Sequence, residues 1–165
     1  MKDVPDAALE EFDAHLLEGT WYVTHSSFPY WKKKDRHDVR FNYFFRQDSM
    51  DIVMFDDRAE YKQGDRQKVF RGVDLQDPTM PSHFTWRGDG GLYGIVNHWY
   101  VVGIDPDAGW MVVCFPPSSL GTAAAVEVVF RDVNPSPETT KAALDHIERD
   151  PDLRERAKGL MPVRR

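Results

Sequence analysis

From position 20 to 131 the chain repeats one pattern eight times: a short run rich in aromatic and β-branched residues, then a turn. The runs cover 20–27, 38–46, 50–56, 66–75, 82–87, 97–105, 109–115 and 124–131. Their alternation has period two, which is the signature of strands with two distinct faces. The separators carry turn chemistry, as in Gln47-Asp48-Ser49, Gly64-Asp65, Asp77-Pro78 and Gly88-Asp89-Gly90-Gly91. Most gaps have hairpin length, so sequence neighbours pair in space. Residues 57–65 extend either the third or the fourth strand, and the first gap, 28–37, is longer than the others.

Eight antiparallel strands with short connections make a sandwich or a closed barrel, and only the barrel removes both exposed edges. The expected fold is therefore mainly β, an eight-stranded antiparallel up-and-down barrel. A short N-terminal helix precedes it, from Pro5-Asp6 with Leu9, Phe12 and Leu16 at helical spacing to a stop at Gly19. A C-terminal helix packed outside follows, with Ser136 as cap, Pro137 in the first turn and Ala143, Leu144 and Ile147 as its apolar stripe. At 165 residues this is one domain: 1–18 helix, 19–132 barrel, 133–165 C-terminal helices and tail.

A net charge of -6 argues against a general nucleic-acid binder, which needs a basic face. No apolar run approaches the length of a membrane span. The start combines no positive charge, apolar run and small-residue cleavage site, and a single cysteine, Cys114, suits a reducing compartment. A cytoplasmic chain, monomer or homodimer, is expected. Cys114 shares a strand face with Trp110 and Val112 and reads as a small core residue. There is no helical His pair, no paired cysteine and no acidic loop, so neither a metal nor a cofactor is expected. The glycine cluster 88–91 lies between strands and opens no helix, which removes a phosphate-binding reading.

Gly19-Thr20-Trp21 at the entry to the first strand resembles the Gly-x-Trp signature of lipocalins. His98-Trp99-Tyr100-Val101-Val102-Gly103 resembles the family's aromatic sixth strand, and Phe130-Arg131-Asp132 its arginine before the flanking helix. The resemblance spans nearly the whole chain. It implies that Trp21 plugs the closed end of the barrel while Arg131 stacks on its face, a cation–π contact worth about 0.5–2 kcal/mol. A narrower resemblance, carried by 38–44, 73–81 and 98–100, is to the lipocalin domain of violaxanthin de-epoxidases. It implies that Asp38 faces the substrate. The cysteine-rich and long acidic regions of those enzymes have no counterpart in this sequence.

Candidate site residues follow from where a barrel exposes side chains to its lumen. The 28–36 loop carries Phe28, Tyr30 and Trp31 and then Lys32, Lys33, Lys34 and Arg36. It reads as a lid whose rings close over a ligand while its cations attract an anionic group, against the plainer reading of a solvated charge run. In the first strand Trp21, Val23 and His25 share one face by alternation. In the second, Asp38, Arg40, Asn42 and Phe44 oppose Val39, Phe41, Tyr43 and Phe45, and periodicity leaves open which set faces inward. If the Asp38 set faces in, Asp38 and His25 are the candidate groups to move a proton. Arg40, Asn42, Asp51, Arg71, Trp86, His98 and Tyr100 then complete a polar cluster on an aromatic wall.

Two functions fit. The first is binding of a small, largely apolar molecule in the lumen, an isoprenoid, polyene, polyketide or fatty-acid-like compound with or without an anionic group. The alternative is an enzyme that uses the barrel as a reaction chamber for acid–base isomerisation, cyclisation or epoxide chemistry.

Overall fold

The computed structural model describes residues 3–49, 52–117 and 124–165. Eight strands follow one another: β1 (Gly19–Ser26), β2 (Arg36–Ser49), β3 (Ile52–Gln63), β4 (Arg66–Asp77), β5 (Met80–Gly88), β6 (Val96–Asp105), β7 (Trp110–Phe115) and β8 (Ala125–Phe130). Each pairs antiparallel with the next, and β1 pairs with both β2 and β8, which closes the sheet into a barrel. The expected up-and-down barrel is the observed one. The undecided stretch after position 56 belongs to the third strand, which runs on to Gln63.

β7 and β8 are buried on both faces except at Phe115. The reason is a second core outside the barrel. Ala143 and Ile147 of α1 (Pro137–Glu148) and Leu153 of α2 (Pro151–Arg156) cover the outward Tyr100, Val102, Val112, Cys114, Val126 and Val128. Ser136 caps α1 through the Thr139 amide at 3.1 Å, with Pro137 in the first turn. Gly103 is needed beneath it, because a Cβ there would run into the His146 ring, whose Nε2 donates to Val102 O at 2.8 Å. Cys114 lies in this outer core, and burial pushes its thiol up to about 12.

The N-terminal helix is shorter than its spacing suggests, a single 3-10 turn over Ala14–Leu17. Tertiary contacts override the helical pattern upstream of it. The Leu9 amide bonds to Val101 O at 3.3 Å, and Phe12 meets Phe84 edge-on, with ring centroids 6.2 Å apart. This segment seals the barrel floor with Trp21. The Trp21 Nε1 donates to Leu17 O at 2.9 Å, and Arg131 stacks on the indole at 3.9 Å. The Arg131 guanidinium also donates to Leu16 O (2.7 Å) and Thr20 O (3.2 Å). Gly19, at φ 106°, leaves room for it; a Cβ there would stand 2.9 Å from Arg131 Nη1.

One element was not expected. β9 (Met161–Pro162) pairs with the upper end of β1 at His25 and Ser26, where β1 no longer pairs with β2. The tail continues past it, and the Asp38 amide bonds to Arg164 O at 2.9 Å. No helix among the described residues is long and apolar enough to cross a membrane.

Candidate functional site

A bulge in β1 and the packing of β2 decide which residues see the barrel interior. In β1 the pairing with β8 slips between Val23 and His25, so that Val23 opposes Val129 and His25 opposes Val128. An inserted residue reverses the alternation beyond it. Val23 points into the inner core, while His25 sits opposite Val128 of the outer core, its Nδ1 bonded to Thr24 Oγ1 at 2.9 Å. Burial lowers its pKa. In β2 the pairing with β3 slips between His37 and Arg40, with Asp38 at φ 52°. Asp tolerates this left-handed conformation better than most residues.

Packing settles the β2 face left open by periodicity: Val39, Phe41 and Tyr43 face the inner core. Asp38 lies outside, its carboxylate 3.2 Å from Lys62 Nζ and 3.4 Å from His37 Nδ1. Arg40 pairs with Glu60 at 3.1 Å on the same outer face, and Asn42 accepts from Thr20 Oγ1 at 2.7 Å. The expected meeting of Asp38, His25 and Arg40 in the lumen does not occur, and with it goes the Asp38 placement that the de-epoxidase resemblance implied. Arg71 is exposed on the outer face of β4. Tyr100 belongs to the outer core and stacks on His83, with centroids 4.6 Å apart. His98 borders the cavity rim, but its ring turns outward into a chain in which Asp77 bonds to His83 (2.9 Å) and His83 to His98 (3.0 Å). Asp51 lies outside the described residues.

Phe28, Tyr30, Trp31 and Trp86 do line the lumen, a cavity of about 320 Å³. Nine of its eighteen lining residues are Phe, Tyr or Trp, and none is Lys or Arg. The 28–35 loop folds as a 3-10 turn over Pro29–Lys32 that lays its rings on the mouth. Tyr30 Oη and Tyr61 Oη are 2.6 Å apart, and Trp31 meets Tyr30 edge-on at 4.9 Å. The loop's arginine does not enter the lumen. Arg36 stacks on the Tyr30 ring at 3.4 Å and donates to Tyr30 O at 3.1 Å, which ties the lid to β2.

The lumen's polar groups are ones the sequence reading did not single out. Glu127 of β8 and Asp57 of β3 line the cavity, and Asp74 of β4 stands behind Asp57. Trp99 Nε1 donates to Asp74 Oδ1 at 2.9 Å, and Asp74 Oδ2 is buried without a hydrogen-bond partner. Burial, reinforced by the charge of Asp74, holds Asp57 well above the usual carboxylate range. Burial raises Asp74 to about 6 and Glu127 to about 8, the latter opposed by the nearby Trp31 indole. Tyr43 is raised well above its ordinary value by burial and by all three carboxyls, so the three act on one interior. Glu127 Oε2 and Trp31 Nε1 are buried without a completed hydrogen bond. A visible signal existed for Glu127, the one acid in the apolar run 123–130.

Trp86 owes its position to Gly72, where a Cβ would collide with the indole. Phe84 and Trp99 stack at 4.5 Å below it and fill the lower barrel.

No family model and no curated protein matches the sequence. Solved structures match closely in shape. Lobster apocrustacyanin A1 superposes with a TM-score of 0.64 at 11% identity, covering 98% of this chain and 90% of that one. Lipocalin 12 from rat epididymis gives 0.65 at 15% identity, covering 87% and 83%. Apocrustacyanin C2 gives 0.62 at 11%, covering 91% and 78%. The chain has the lipocalin fold.

Proposed function

We propose that this lipocalin-fold chain binds one small, largely apolar molecule in its barrel lumen. The observation that carries the reading is the enclosure itself. A cavity of about 320 Å³, walled by aromatic rings, is sealed below by Trp21 and Arg131 and covered above by Phe28, Tyr30 and Trp31. That volume lies at the lower end of the range of about 300–1,000 Å³ typical of small-molecule pockets. An isoprenoid, polyene, polyketide or acyl fragment of modest size fits it better than a long lipid. The expected anionic group finds no cation among the lining residues. The buried single thiol of Cys114 is in keeping with a cytoplasmic protein.

The test is a titration with the neutral fluorophore N-phenyl-1-naphthylamine. One equivalent should bind with blue-shifted emission, and Ala59→Trp or Ala125→Trp, each filling the lumen, should abolish binding while the fold persists. Absence of binding, or equal binding by both filled variants, sinks the proposal.

One observation favours a second reading, acid-catalysed isomerisation, cyclisation or epoxide opening. Glu127, raised to about 8, keeps its proton at neutral pH beside an apolar cavity. The acid would then be Glu127 rather than Asp38 or His25. Recovery of a bound compound with altered structure distinguishes this reading from simple carriage.

A further inference from the structure

We propose that the lumen is built for an apolar molecule ending in a cationic nitrogen, held between Glu127 and the Asp57–Asp74 pair. This rests on the ligand-binding reading above and names the ligand's chemistry. Three carboxyl groups converge on an interior that no Lys or Arg lines among the described residues. A carboxylate ligand would find no cation there to pair with.

Glu127 is 2% exposed, lines the cavity, and leaves Oε2 with no partner. A buried acceptor without a donor costs free energy unless something else supplies the donor. An ammonium group supplies several. The Asp57–Asp74 pair poses the same demand from the wall formed by β3 and β4. Asp74 Oδ2 is buried without a hydrogen-bond partner, and the described lining residues offer the pair no Lys or Arg. The Trp99 N–H satisfies only the other Asp74 oxygen.

The walls point the same way. Tyr43, Trp31, Trp86 and Trp99 line the cavity, and aromatic rings attract cations, most strongly where water is excluded. Aromatic rings alone would suit any apolar guest, and buried acids alone could be matched by a carbonyl or hydroxyl. Their combination, with carboxyl oxygens left unpartnered and no cation beside them, selects a hydrophobic ammonium.

The experiment is calorimetric titration at pH 7 with three matched probes: 4-phenylbutan-1-amine, 4-phenylbutan-1-ol and 4-phenylbutanoate. The amine should bind at least about tenfold more tightly than the alcohol, and the carboxylate most weakly. In the triple variant Asp57→Asn, Asp74→Asn and Glu127→Gln, amine affinity should fall to within about threefold of the alcohol's, while alcohol affinity is kept. Equal binding of amine and alcohol by the unmodified protein overturns the inference, as does an amine preference that survives in the triple variant. If that variant does not fold, the three-probe series on the unmodified protein decides alone. Binding of N-phenyl-1-naphthylamine without amine preference defeats this inference only. Failure of that neutral probe and all three matched probes defeats the lumen-binding reading with it.

Discussion

The two ends of the barrel use polar groups in opposite ways. At the floor, the Trp21 indole N–H and both terminal guanidinium nitrogens of Arg131 end on backbone carbonyls, at 2.7–3.2 Å. In the lumen above, Glu127 Oε2 and Trp31 Nε1 are buried and lack partners. Satisfied polar groups lock a structure, whereas unsatisfied ones weaken it until something binds. The floor is thus built to hold the barrel shut, and the lumen keeps polar atoms in reserve for a guest.

The largest effect should come from breaking the floor. Trp21 is 1% exposed, carries Arg131 on its face and closes the inner core. Trp21→Ala should cost about 3–5 kcal/mol in denaturant unfolding, as large-to-small changes at buried aromatics do. Because the floor contains none of the shifted carboxyls, the variant's stability difference between pH 5 and pH 9 should equal that of the unmodified protein. A changed pH profile would mean that floor and lumen are coupled.

The sequence made the floor legible and the lumen chemistry only partly so. Trp21 and Arg131 announce themselves because strand period and turn chemistry fix the barrel, and the Gly-x-Trp resemblance then assigns its closed end. The lid rings Phe28, Tyr30 and Trp31 were visible as loop aromatics for the same reason. His25 was misplaced because a one-residue bulge, invisible in the residue pattern, reverses the side chains beyond it. Asp38, by contrast, keeps the face it shares with Arg40, and that face turns outward because Val39, Phe41 and Tyr43 pack into the inner core. Asp57 was hidden in a stretch whose strand could not be assigned. Glu127 was hidden in an apolar run, since β8 is buried on both faces and shows no alternation there. Nor could Leu9 and Phe12 reveal that they serve the barrel floor rather than a helix, because helical spacing does not say what lies opposite.

The lumen side of the comparison is sharpened by removing one acid. The folded protein raises Glu127 to about 8, above its ordinary value, so the folded state keeps a proton that the unfolded chain releases. Its contribution to stability is complete at pH values below the ordinary carboxylate range and is lost as pH rises through about 8. Gln cannot ionise. Glu127→Gln should therefore match the unmodified protein at pH 5 within about 1 kcal/mol and exceed it at pH 9 by on the order of 2–4 kcal/mol. Asp74, at about 6, should still cause a decline between pH 4 and 7 in the variant. Parallel stability curves across the whole range would show that Glu127 is not a buried, proton-holding group.

The smallest effect tests whether the lid belongs with the floor or with the lumen. Tyr30→Phe removes the 2.6 Å contact to Tyr61 Oη and leaves the Arg36 stack at 3.4 Å and the neighbouring Phe28 ring in place. A single neutral hydrogen bond of this kind contributes about 0.5–1.5 kcal/mol, so the change in Tm should be slight. Kinetics should respond more. Tyr61 is anchored in β3, and its hydroxyl gives the 3-10 turn a hydrogen bond to the barrel rim, so its loss should let the turn lift more often. Stopped-flow release of N-phenyl-1-naphthylamine should quicken by about threefold or more while the lumen contacts, and hence the stoichiometry, stay the same. A Tyr30→Phe variant that loses stability as Trp21→Ala does, with no change in release rate, would make this turn a second floor rather than a gate. Entry would then run past the rim formed by Leu92, Ile95 and Pro116, which also border the cavity.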